Sequence, residues 1–311
     1  MGKKSMSGIW LHIMLFLITV SWAFNIIVLK IGFRYIPTAQ FSGVRLLMAF
    51  PFMVYFAFWL PGHVRFTKQD FFGVVGIGCV GLGLFQVLFP LGIDQTSPAI
   101  GGLLMATMPI HAVILSLIFR LERPRWLAFL GVILTVGGIA LITLASQQPG
   151  VASQTSLKGI LLVVIAEIGY AVNTVFLRPY MKRYPPIQVT GLAMATSVCI
   201  YLVVFFRDIL QLVPSEVDPR GWLCAAYSGL FAFLFTNILW NIAIKNIGST
   251  KVAVYANLPP VLVLFLSALI FGETLNGMQM GGAVIILLGV ITVQLRKPNF
   301  VKKLEEESTL Q

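Results

Sequence analysis

Two ionisable side chains interrupt long apolar runs of this chain, Glu167 within Gly159–Leu177 and Arg45 within Thr38–Leu60. A charge in hydrocarbon is costly unless paired or wetted, so each is a functional candidate. At about 1.5 Å of helix rise per residue, Glu167 lies roughly 12 Å into its run and Arg45 roughly 10 Å into its own. At that depth Glu167 can carry a coupling proton or meet a substrate amine; it can equally be a carboxylate hydrogen-bonded to a neighbouring helix. Arg45 can attract a carboxylate or another anion, or it can anchor the fold by pairing with Glu167 or with backbone carbonyls. His111 follows Pro109, whose missing N–H bends a helix and opens a polar niche. A lone histidine there is either a solute contact or a packing residue.

Neutral groups form a more regular pattern. Trp22 and Asn25 stand three apart, as do Tyr170 and Asn173, so each pair shares a helix face. Asn237, Trp240 and Asn241 share another face, Gln86 occupies a further run, and Tyr255 and Asn257 come just before Pro259 and Pro260. An aromatic-lined pocket carrying a few amides suits a small amphipathic or zwitterionic molecule. Interhelical hydrogen bonding in a membrane also favours Asn and Gln. His12, His63 and His111 are dispersed, without a catalytic pair or a metal-ligand cluster, so no cofactor or metal is expected.

The elements that must position these groups are apolar segments of membrane-spanning length. The chain is 58% hydrophobic and 11% charged, more apolar surface than a soluble 311-residue domain can hide. Ten spans are expected, at about Ile9–Leu29, Thr38–Leu60, Phe71–Gly92, Ser97–Phe119, Trp126–Leu144, Gly159–Leu177, Gln188–Phe206, Gly221–Ala243, Thr250–Phe271 and Gly277–Leu295. Near 20 residues each, they match a helix crossing about 30 Å of hydrocarbon, and a two-residue alternation is absent. The first run is longer than the apolar core of a signal peptide, and Met6 stands where myristoylation needs Ser or Thr. Glycines crowd the third span and recur as Gly131, Gly137, Gly138, Gly281, Gly282 and Gly289 in the fifth and tenth, permitting close helix approach. The Gly76-to-Gly83 run lacks the strand context of a nucleotide loop. Glu122 and Glu273 stand at helix junctions, where a carboxylate favours the following N-terminus.

The second half repeats the first. A shift of 148 residues carries Ala23, Asn25, Leu29, Pro37, Gln40 and Gly43 onto Ala171, Asn173, Leu177, Pro185, Gln188 and Gly191, and Gly73, Gly81, Leu82 and Phe85 onto Gly221, Gly229, Leu230 and Phe233. After an insertion, a shift of 151 carries Pro109, Glu122, Gly131 and Gly138 onto Pro260, Glu273, Gly282 and Gly289. Five spans per copy, an odd number, force the copies to enter the membrane from opposite sides, an arrangement that builds one central site reachable from either face. The expected units are 1–147, a linker at 148–157, the second repeat at 158–297 and a solvated tail at 298–311. With both termini cytoplasmic, 16 of the 22 Lys and Arg fall on the cytoplasmic side, so the net charge of +11 encodes orientation rather than nucleic-acid binding. Cys79, Cys199 and Cys224 fall within spans and imply no disulfide framework. The connector 207–220 is expected as a solvated linker.

Leu258-Pro259-Pro260, then Leu269-Ile270-Phe271-Gly272-Glu273, then Gly281, Gly282 and Gly289 resemble the second half of an EamA-type transporter of the drug/metabolite transporter superfamily. Met108-Pro109 and Phe119-Arg120-Leu121-Glu122 are the first-half counterpart, and Arg45 matches an arginine typical of the family. The resemblance implies an all-helical ten-span carrier with a central cavity, often exporting amino acids or other small metabolites. The expected function is a secondary transporter in the cell membrane, working by alternating access on a small-molecule solute, with possible proton coupling, as a monomer or homodimer. A membrane enzyme acting on a lipid-linked substrate, a channel and a receptor stand as alternatives. Direct ATP coupling is not expected without Walker motifs.

Overall fold

The computed structural model describes residues 8–120, 126–146, 155–247, 252, 255 and 258–294, and among these there is no strand. The principal helices are α1 (Gly8–Gly32), α2 (Thr38–Phe58), α3 (Lys68–Asp94), α4 (Pro98–Ile118), α5 (Trp126–Ser146), α6 (Leu157–Phe176), α7 (Pro186–Val204), α8 (219–247), α9 (Leu258–Phe271) and α10 (Gly277–Gln294). Eight of them, α1 to α8, contain a stretch long and apolar enough to cross a membrane; α9 and α10 are shorter apolar helices. Their outer faces expose Leu17, Phe72, Ile133, Val203 and Phe265, the inverse of a water-soluble surface. Helix starts follow local chemistry. Thr67, Ser97, Ser156 and Asp218 accept from backbone N–H groups of the first turns of α3, α4, α6 and α8, and Pro98 and Pro219 occupy the opening positions of α4 and α8.

Three helices are interrupted. α3 is π-helical over Cys79–Gly83 and α8 over Tyr227–Phe235, and the 148-residue shift carries Cys79 onto Tyr227. α4 breaks at Ala106 and Thr107, just ahead of Pro109, and resumes as Met108–Ile118, the bend that Pro109 predicts.

The helix pairings have a matching regularity. α3 packs on α6 and α8 on α1; α4 packs on α6 and α9 on α1; α2 meets α7, α5 meets α10, and α4 meets α9. Exchanging first-half with second-half helices turns these pairings into themselves. Glycines allow the closest approaches: an added Cβ would lie 2.8 Å from Gly282 O at Gly138 and 2.7 Å from Gly131 O at Gly289. The expected close approach thus has backbone opposite it at Gly138, Gly282 and Gly289, whereas a Cβ at Gly76 or Gly137 would meet nothing within 4 Å and one at Gly281 only the Leu141 side chain at 3.7 Å, so those three do not serve it.

Repeat-related glutamines tie loops to helix starts at the two ends. At the start of α7, Gln188 Nε2 donates to Val64 O (2.7 Å) while its Oε1 accepts from Val64 N (3.0 Å). At the start of α2, Gln40 Nε2 donates to Asp208 O (3.0 Å). Asp70, buried beside Gln188's end, accepts from Tyr184 Oη (2.7 Å) and pairs with Arg183 Nη1 (2.9 Å).

The 207–220 connector is more structured than a solvated linker: it includes most of a short helix, Phe206–Leu210, and a 3-10 turn at Pro214–Glu216. The end of the expected 148–157 linker is also tied down, since Ser156 N donates to Gln95 O (2.9 Å) and Thr155 Oγ1 accepts from Ser97 N (2.9 Å). Glu122 and the tail 298–311 lie outside the described residues.

Candidate functional site

Close contacts fix the heights of the candidate residues relative to one another. α3 and α6 run antiparallel: a Cβ added at Gly92 would meet Val163 N at 2.8 Å, and one at Gly81 would meet Asn173 N at 2.9 Å. Gln86, between those glycines, is therefore level with Glu167 and Ile168. α4 runs parallel to α6, tied by Ser97 N to Thr155 Oγ1 (2.9 Å) at one end and by the Phe119 and Phe176 rings, 4.9 Å apart, at the other. That register places His111 level with Ile168 and Gly169. Arg45 joins the layer directly, donating from Nη2 to Gln86 Oε1 at 2.7 Å. Lys30 Nζ reaches Asp94 O (2.9 Å), setting α1 alongside α3 with Trp22 and Asn25 within about two turns of Gln86.

The layer is buried and incompletely bonded. Arg45, Gln86 and Glu167 are 3%, 1% and 2% exposed, so water at the surface does not satisfy them. Buried atoms without a hydrogen-bond partner are Arg45 Nε, Gln86 Nε2, His111 Nδ1, Glu167 Oε1, Asn25 Oδ1 and Asn173 Oδ1; Ser42, Thr135 and Ser228 hydroxyls complete the set among the described residues. Orphaned polar atoms are few in folded proteins, and each deserves a physical explanation. Six of these nine belong to residues singled out by sequence. No ion pair joins Arg45 to Glu167: the guanidinium is turned to Gln86 and to the Phe233 ring, whose centroid is 5.9 Å from Arg45 Cζ. The expectation that these two charges anchor each other is replaced by an arginine held by an amide and a carboxylate without an ionic partner.

The aromatic-plus-amide pairs behave alike. Trp22 donates from Nε1 to Thr236 Oγ1 (2.8 Å), and its ring lies 4.8 Å from that of Trp240 at a tilt of 48°, so it turns toward α8. Tyr170 turns toward α3, its ring 5.1 Å from Phe85. In both pairs the asparagine three residues on keeps an unpartnered Oδ1.

Other candidates serve different ends. Asn237 Nδ2 donates to Phe233 O (2.5 Å), back onto its own helix. Tyr255 Oη bonds His12 Nδ1 (2.7 Å) near the start of α1, away from the buried layer. Asn257 and the side chain of Asn241 lie outside the described residues. Glu273 was expected to favour the start of α10; it instead accepts from Ala99 N (3.1 Å) in the first turn of α4 and from the Ser267 hydroxyl. The reason is local: Asn276 and Gln279 already cap α10 reciprocally, and α9 crosses α4, bringing the carboxylate over free N–H groups.

Sequence reasoning missed Phe233, Phe85, Ser21 and Tyr227. Phe85 and Phe233 were visible only as repeat markers. Ser21 Oγ and Tyr227 Oη, 3.0 Å apart, join α1 to α8 beside Trp22. No group of three or more His, Cys, Asp or Glu able to hold a metal occurs among the described residues.

Comparison with known proteins fits this geometry to a family. The model of the EamA-like transporter family matches residues 9–144 and again 157–295, once in each half. The chain belongs to this family. Among its relatives, the uncharacterized transporter YyaM of Bacillus subtilis is 25% identical over 76% of this chain and 78% of its own length. An uncharacterized transporter of Archaeoglobus fulgidus is 24% identical over 90% and 97%. A Salmonella typhimurium protein named "Probable amino-acid metabolite efflux pump" is 26% identical over 88% and 91%. A crystal structure with 16% identity superposes at a TM-score of 0.60, covering 93% of this chain and 98% of that one, which shows the shared fold. This EamA-family chain is a multi-pass membrane protein with a transporter role.

Proposed function

We propose that the protein is a secondary carrier that moves an amino acid or a related small amphipathic solute by alternating access, in the direction of export. The observation that carries this reading is the buried layer itself: donors at Arg45 Nε and Gln86 Nε2, and acceptors at Glu167 Oε1 and Asn25 Oδ1, all unpartnered, with no ion pair between Arg45 and Glu167. A zwitterion supplies the complement, its carboxylate to the arginine side and its amine to the acceptors. Trp22, Tyr170 and Trp240 offer aromatic walls to its apolar part.

Ten spans in two inverted five-helix units, 1–147 and 158–297, with both termini cytoplasmic in the cell membrane, complete the proposal. Its support is the twofold family match, the self-matching helix pairings, the π-helical stretches at equivalent positions and the glutamine ties at the two ends. Glu167 is proposed as the coupling proton's carrier, and the protomer works alone or as a homodimer. The relatives' names favour transport over catalysis. Purified protein in liposomes should exchange labelled amino acids saturably, and Asn25→Ala or Asn173→Ala should weaken exchange while leaving the melting temperature near that of the parent. Saturable exchange absent across amino acids, nucleosides and sugar phosphates would sink the proposal.

A further inference from the structure

Arg45 is held on two sides and lacks a hydrogen-bond partner on a third. Gln86 takes Nη2, the Phe233 ring faces the guanidinium, and Nε is buried with no partner. The π-helical stretch of α8 makes this possible. Its Gly229 brings α8 to backbone distance from α2, where an added Cβ would lie 3.1 Å from Arg45 Cα, and Phe233 follows one turn later. Two side chains fix that turn: Thr236 Oγ1 donates to Ala232 O (2.6 Å) and Asn237 Nδ2 to Phe233 O (2.5 Å). π-helical turns rotate the residues beyond them relative to an unbroken α-helix and are frequent at functional sites.

The other half contains a second instance. Gly81, in the π-helical stretch of α3, packs on the backbone of Asn173, and Phe85, 148 residues before Phe233, stands against Tyr170. In each half a glycine of the stretch meets the backbone of a candidate residue, and a phenylalanine four residues on, within the stretch for Phe233 and two residues past it for Phe85, meets a candidate side chain.

We propose that Phe233 is a positioning residue: it holds the plane of Arg45 so that Nε stays turned inward, ready for the anionic group of a solute. The proposal rests on the reading of Arg45 as a solute contact and deepens it. The range of cation–π attraction, from exposed to desolvated sites, corresponds to a change of about 2- to 30-fold in solute affinity.

The test measures KM for exchange of labelled α-amino acids in liposomes, with melting temperature, for Phe233→Leu, Phe233→Trp, Arg45→Gln and the Phe233→Leu/Arg45→Gln double variant. Leucine keeps apolar bulk without the ring's quadrupole. Phe233→Leu should raise KM about 2- to 30-fold with the maximal rate near that of the parent, tryptophan should restore it, and in the Arg45→Gln background the leucine should add nothing. A parental KM in Phe233→Leu while Arg45→Gln is impaired overturns the role of Phe233 and leaves the reading of Arg45 standing. An equal KM rise in both backgrounds overturns positioning in favour of direct contact, and a lowered melting temperature with unchanged KM overturns it in favour of packing. If neither residue affects KM, or the parent exchanges no amino acid, the underlying reading fails and takes the proposal with it.

Discussion

Gln86 offers the sharpest perturbation because two substitutions at one position should both weaken transport while moving stability differently. Its Oε1 accepts from Arg45 Nη2 at 2.7 Å, and both residues are almost wholly buried. Gln86→Leu keeps similar bulk and removes the acceptor. A hydrogen bond to a charged group contributes about 1.5–3 kcal/mol in folded proteins. Side-chain bonds measured within membranes reach only about 1.7 kcal/mol, since the unfolded state in lipid also finds partners. The expected loss is therefore about 1.5–1.7 kcal/mol, or a fall of about 3 °C in melting temperature at roughly 2 °C per kcal/mol for a chain of this size. KM should rise as well, because the guanidinium loses one of its two supports. Gln86→Glu preserves the shape and places a carboxylate against Nη2, neutralising the arginine locally. The melting temperature should hold or rise, while KM for an amino acid increases at least tenfold, an incoming carboxylate now meeting an arginine already paired. Melting curves in lipid nanodiscs and exchange in liposomes measure both. A Gln86→Glu protein with parental KM would refute the reasoning, for it would mean that the free charge of Arg45 plays no part in binding.

The other expectations concern packing, coupling and orientation. Gly282→Val places atoms where even a Cβ meets Gly138 O at 2.9 Å, so α5 and α10 must part; a destabilisation of about 1–3 kcal/mol should appear in the same melting assay, and an unchanged midpoint would contradict the tight interface. If Glu167 carries a proton, Glu167→Gln should abolish the dependence of net flux on an imposed pH gradient while exchange at equal pH survives; retained pH dependence in an active variant rejects that role. Lys182 and Arg207 are both exposed, near opposite ends of α7, and cysteines there in a cysteine-free background should label from opposite sides of the membrane with an impermeant maleimide. Labelling of both from outside would remove the inverted topology.

What could be read from the sequence was whatever the bilayer and the repeat impose on residue type. Span length, interface glycines and the bend at Pro109 each have a local signature, and the structure puts backbone against Gly138, Gly282 and Gly289. Gln40 and Gln188 were visible as an aligned pair without a task; their task depends on loops that lie 168 and 124 residues away in sequence, respectively. The candidate layer was legible as composition, since a buried polar atom in lipid is rare enough to notice wherever it stands. Which of its atoms are satisfied was not, because that depends on the register between helices distant in sequence. Nor could the sequence show the partners of Asn237 and Tyr255, an amide that donates back to Phe233 O and a hydroxyl bonded to His12. Phe233 itself was missed. In an apolar run a phenylalanine reads as packing, and a π-helical turn has no composition of its own to announce that the ring has been rotated over an arginine. The unpaired state of Arg45 and Glu167 follows from the same cause: they share a level, but α8 and Gln86 have already claimed the guanidinium, so a Glu167 oxygen and the Arg45 Nε are left without a hydrogen-bond partner in the same buried layer.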